Sequence, residues 1–172
     1  MCSPEMLCEL YAHLEWADAK VWSVAIQTKE ASSDKSLCDT LFHVHQTQRA
    51  YLNMWMDKPQ QILNAEDFDN LVSLFEWAHP YYAEVRRFLD AANSSPVDRP
   101  VPELFRQRME QHLGRVVKIT LGETAHHRGQ LNTRLRELTG EPPLVDYIAW
   151  VWQGRPVADW NTTSGTQSAE LA

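Results

Sequence analysis

Four long stretches of apolar residues at three-to-four spacing, in a chain of 172 residues with only 6 glycines, most constrain what this sequence can fold into. That period gathers the apolar side chains on one face of an α-helix, and no stretch shows the alternation of a half-buried strand. The first stretch runs from about Ser3, an N-cap followed by Pro4 at the first helical position, to about Lys29, with Leu7, Leu10, Leu14, Ala17, Val21 and Val24 on one side. The second begins after Ser32, Ser33 and Asp34 and ends near Lys58, ahead of Pro59, presenting Leu37, Leu41, Val44, Leu52 and Trp55. The third, from about Asn70 to Asn93, repeats as Leu71, Leu74, Phe75, Ala78, Tyr82, Val85 and Leu89, with Pro80 as an expected kink. The fourth runs from Glu103 or Leu104 to Leu138, closes at Gly140 in a C′ position and meets Pro142 and Pro143. An all-α four-helix bundle is the expected fold, with long crossing connections through residues 59–69 and SSPVDRPVPE, and a short C-terminal helix or aromatic lid in VDYIAWVW.

One bundle domain over residues 1–153 and a polar, flexible tail over 154–172 is the expected organisation. A net charge of -7 and a pI near 5.4 argue against nucleic acid or an anionic membrane surface as partner, since both call for dense basic surface. No run of about eighteen apolar residues marks a membrane span, and the N-terminus carries no basic region ahead of an apolar run. Cys2, Cys8 and Cys38 are odd in number and form no C-x-x-C pair, which fits a reducing cytoplasm.

Chemistry concentrates in GETAHHRGQLNTRL, residues 122–135. Glu123 and His127 are four residues apart and project from nearly the same helix face, a spacing at which both can reach one ion. Counted against the stripe Leu113, Val117, Thr120, Thr124, Leu131, Leu135 and Leu138, His127 lies within roughly 40 degrees of the centre and Glu123 roughly 80 degrees away. His126, at roughly 140 degrees, faces solvent or a partner subunit. A third ligand comes from the second helix, where His43 and His45 compete and the same count brings His45 closer to the apolar stripe. His13, His79 and His112 take surface or packing roles by default.

In HLEWADAKVW on the first helix, LFHVHQTQRAYL on the second, HRGQL on the fourth and GEPPLVDYIAW after it, the chain resembles the DinB/YfiT-like superfamily of metal-binding four-helix bundles, over roughly residues 5–152. That resemblance implies one divalent ion held by three histidines, one on the second helix and two spaced H-x-x-x-H on the fourth. The pattern carries over to His43 and His127, and Glu123 stands where the first histidine of the fourth helix is expected. It selects His43 over His45, because the aromatic eight positions on is then Tyr51. His45, His126, Arg128 and Gln130 become candidates for lining or supporting the pocket.

A set of two histidines and one carboxylate resembles both catalytic zinc sites and the facial triad of non-haem iron, and zinc, nickel, iron and manganese all accept such donors. Three protein ligands leave positions open for substrate, so the resemblance implies a metal-dependent enzyme acting on a small molecule. The implied reactions are low-molecular-weight-thiol transfer, with a thiol cofactor, or hydrolysis with bound water in its place. It also implies a homodimer. The catalytic residues themselves stay unassigned. The alternative is a non-catalytic bundle in which Glu123 marks a degenerate or structural metal site. A di-iron carboxylate protein fits less well: Glu76-x-x-His79 and Glu123-x-x-His126 match its unit, but Glu76 and His126 point outward and the second helix supplies no Glu.

Overall fold

The computed structural model describes residues 4–56, 58–93 and 122–161, and these form helices with no strand among them. α1 spans Pro4–Gln27 and a single-turn α2 spans Lys29–Ser32. α1 ends within two residues of the end near Lys29 expected from sequence, and Thr28, in an extended conformation (φ -104°, ψ 118°), separates it from the additional turn α2. That turn brings Ala31 fully into the core while Lys29 and Glu30 stay in solvent. α3 spans Lys35–Trp55 and starts as expected, with the carboxylate of its N-cap Asp34 accepting from the backbone N–H of Leu37 at 2.9 Å.

The third stretch is two helices, α4 (Leu71–Ala78) and α5 (Pro80–Asn93). Asn70 caps α4 by accepting from the N–H groups of Val72 and Ser73, while the Ser73 hydroxyl accepts from the N–H of Asn70. Pro80 has no N–H to give to the preceding turn, which is why the expected kink falls there. Residues 122–139 form α6, ending at Gly140 in the left-handed region (φ 84°). The expected start of that helix, with Leu113, Val117, Thr120 and His112, lies outside the described residues. α7 spans Tyr147–Trp152 in the segment read as a short closing helix.

α1 and α3 each pack against α4 and α5. α6 runs antiparallel to α3, as the pairs Gln48–Thr124, His43–His127 and Asp34–Arg134 show in order along the two helices. One apolar cluster gathers Val21, Trp22, Leu37, Leu41, Leu74, Leu131 and Leu135, and a second gathers Leu7, Leu14, Leu52, Tyr82, Val85 and Leu89. The connection from residue 58 to residue 70 runs along α3, held by Gln46 and Gln60 side chains donating to the carbonyls of Leu63 and Ala50.

Residues 155–161, assigned from sequence to the tail, pack back onto the helices: the Trp160 ring lies against His79, Tyr82 and Phe75, and its indole N–H donates to Glu15 at 3.1 Å. Residues 162–172 lie outside the described part. Among the described residues no helix is long and apolar enough to cross a membrane.

Candidate functional site

The facing flanks of α3 and α6 bring His43 and His127 together, with ring centroids 4.6 Å apart, edge to face. On α6 itself, Nε2 of His127 lies 3.5 Å from Oε2 of Glu123, one turn earlier. Nδ1 of His127 is 2.8 Å from Oε1 of Gln130, whose Nε2 reaches His126 at 3.3 Å. With its amide nitrogen donating to His126, Gln130 accepts from the Nδ1–H of His127. That assigned tautomer leaves a lone pair on Nε2, on the side of Glu123. Lys35, Ser36, Asp39 and Thr40 complete an open cleft of about 520 Å³ above the two rings.

The cleft is a surface feature. His43 is exposed, the His127 side chain is 18% exposed and that of Glu123 is 52% exposed. Sequence periodicity placed His127 near the middle of the buried stripe, and the structure turns that stripe. Its buried positions are Thr124, Arg128, Leu131 and Leu135, so His127 stands roughly 70 degrees and Glu123 roughly 110 degrees from its centre. The reason is Arg128, a charged side chain that takes an inward position the apolar count never gave it.

Arg128 donates from Nε and Nη2 to Oδ1 of Asp18, at 3.1 and 2.8 Å, and from Nη2 to the carbonyl of Leu14. The other carboxylate oxygen of Asp18 accepts from the Tyr82 hydroxyl at 2.8 Å and from Nε2 of Gln48 at 3.1 Å. Gln48 also donates to the Thr124 hydroxyl. Burial works to raise the Asp18 carboxyl, but the Arg128 guanidinium beside it helps to hold it below the usual carboxylate range. Next to this network His45 is 2% exposed and accepts from the Trp22 indole N–H at 2.8 Å. Burial, against the pull of Asp18, holds its pKa down to about 4, so it is a neutral core imidazole near neutral pH.

Sequence reasoning thus found the surface pair and missed the ionic core behind it. A signal existed. The spacing i, i+4, i+7, i+11 recurs as Leu14, Asp18, Val21, Ala25; as Leu41, His45, Gln48, Leu52; as Ala78, Tyr82, Val85, Leu89; and as Thr124, Arg128, Leu131, Leu135. All of these are buried, the third set running from the last residue of α4 into α5, and in each set the second position is polar. Four polar residues at equivalent places on four helices mark one layer of the interior.

His13 and His79 make packing contacts. The His13 ring contacts Trp16, Tyr147 and Trp150 and bonds the carbonyl of Val145, and burial pushes its pKa down. His79 stacks on Phe75. Glu76 and His126 are exposed, as the sequence count placed them.

Among the described residues no group of three or more His, Cys, Asp or Glu side chains is gathered into a preformed metal cage. The contacts His43–His127 and His127–Glu123 instead share one residue between them. Fold and site together define an all-helical protein with a histidine pair at the rim of an α3–α6 cleft, above a buried ionic layer. Comparison of the chain with protein-family models, with curated proteins and with solved structures gives no match.

Proposed function

We propose that the chain is a divalent-metal-binding four-helix bundle of the DinB/YfiT-like type, in which His43, Glu123 and His127 hold the ion. The observation that carries this reading is the edge-to-face contact of His43 with His127 across two helices, with a carboxylate one turn from the second ring. Nothing apolar requires two imidazoles to meet at a surface cleft. Two ligands of one ion bound at about 2 Å sit close to 3 Å apart, so a separation of 3.5 Å between Nε2 of His127 and Oε2 of Glu123 is within a small side-chain adjustment of sharing one.

A bound ion of this class supplies Lewis acidity and lowers the pKa of a coordinated thiol or water. The chain's own residues do the rest. Gln130 fixes the His127 tautomer so that Nε2 is the donor atom, and the cleft walls, with the Lys35 ammonium, the Asp39 carboxylate and the hydroxyls of Ser36 and Thr40, give a small polar substrate hydrogen-bonding partners. The reading is an enzyme of thiol-transfer or hydrolytic type, working as a homodimer in the cytoplasm.

Metal content by elemental mass spectrometry tests it, on wild type and on His127→Ala and Glu123→Ala. Near-stoichiometric metal that both variants lose is the expected result, followed by chelator-sensitive thiol transfer or ester hydrolysis. A second reading is favoured by the exposure of Glu123, whose contact with His127 also suits an ordinary surface pair one turn apart. In that reading the bundle is non-catalytic, and metal is absent or unchanged in both variants.

A further inference from the structure

We propose that Arg128, through its buried bonds to Asp18, is a positioning residue that sets the rotation of α6 and thereby presents His127 to His43. The functional meaning of this inference rests on the metal-site reading, whereas its structural content rests on contacts already described.

Arg128 and His127 are neighbours on α6, so about 100 degrees of helix rotation separates them, and fixing one fixes the other. Arg128 is 7% exposed and spends its Nε and Nη2 donors on α1, on the Asp18 carboxylate and the Leu14 carbonyl. One turn earlier, Thr124 is tied to the same carboxylate through Gln48 of α3. These two points define both the azimuth and the height of this end of α6. Apolar contact is non-directional and tolerates rotation. The apolar anchors Leu131 and Leu135 lie further along the helix, while the two buried positions flanking His127 are Thr124 and Arg128, both polar. Directional bonds therefore do the placing where the histidine stands. A buried ion pair adds little net stability over apolar replacement, and setting one arrangement among several is the use such pairs serve best. Lysine offers no substitute, since one ammonium on a flexible stem lacks the planar fork that meets Asp18 through two nitrogens.

The test compares Arg128→Met with Leu89→Ala, a core variant in α5 that destabilises the protein without touching α6. Two readouts are taken. The first is the nuclear Overhauser effect between the ring protons of His43 and His127 in metal-free, isotope-labelled protein, which a centroid separation of 4.6 Å makes observable. The second is zinc affinity by competition with a chromophoric chelator. The expected result is loss of the ring contact and about tenfold or greater weakening of zinc binding in Arg128→Met, with both retained in Leu89→Ala. If Arg128→Met fails to fold, Arg128→Lys keeps the buried charge and is expected to lose the ring contact as well. A ring contact that survives in the Arg128 variant, is missing from wild type, or vanishes equally in Leu89→Ala overturns the inference. A wild type that shows the ring contact and binds no zinc overturns the metal reading and leaves the positioning role standing.

Discussion

Asp18 is the residue on which most of the interior converges, because its two oxygens receive donors from Arg128, Tyr82 and Gln48, on three other helices. Removing one member of a buried pair strands the other's charge, so Asp18→Ala is expected to lower unfolding free energy by about 3–5 kcal/mol in urea titrations. The pair Asp18→Leu with Arg128→Met is expected to cost less than the sum of the single changes, a coupling that a double-mutant cycle reads directly. Full recovery is not expected, since Tyr82 and Gln48 then keep buried polar groups without their acceptor. His45 adds a pH dependence of definite sign. Its folded pKa of about 4 lies below the ordinary imidazole value of 6.5, so the unfolded chain binds the proton more readily. The stability from keeping His45 neutral is complete above the unfolded pKa, declines as pH falls below it, and is lost through the folded one. Metal-free protein is expected to lose about 2 kcal/mol between pH 8 and pH 5, and His45→Asn to flatten that slope, as measured by urea midpoints.

At the scale of elements, the boundaries follow local chemistry that is legible in the chain: Asp34 and Asn70 as caps, Pro80 as a break and Gly140 as a left-handed end. Asn70→Ala is expected to cost about 1 kcal/mol, with the loss appearing in the thermal midpoint, because it removes the acceptor for two N–H groups of α4. Apolar periodicity located the helices for the same reason. It misjudged the phase of α6 because a hydropathy count scores Arg128 as a surface residue, while its guanidinium is neutralised inside the protein by a carboxylate some 110 positions away in sequence. His127 was legible through its spacing from Glu123, and His43 only through the resemblance to a known pattern, since the apolar count favoured His45. The exposure of the pair was not, since burial depends on which neighbour of His127 turns inward. The end of the first helix near Lys29 was legible to within two residues, whereas the extra turn α2, which buries Ala31, was not.

At the scale of the whole molecule, the ionic layer separates two of the three apolar clusters among the described residues, one built around Trp22 and Leu135 and the other around Tyr81 and Val85, and Trp160 packs against both. Trp160→Ala is expected to cost about 2 kcal/mol and to make residues 155–161 accessible to limited proteolysis, since a half-buried indole and its bond to Glu15 are lost. The cleft that carries His43 and His127 exists only where α3 and α6 meet, so the function proposed for it belongs to the assembled fold and not to either helix. The most direct test is calorimetric titration of metal-free protein with zinc, on wild type and on His43→Ala, Glu123→Ala and His127→Ala. One ion bound per chain in wild type, with binding abolished or strongly weakened in each variant, is the expected result. No saturable binding in wild type, or binding that His43→Ala and His127→Ala leave intact, would contradict it.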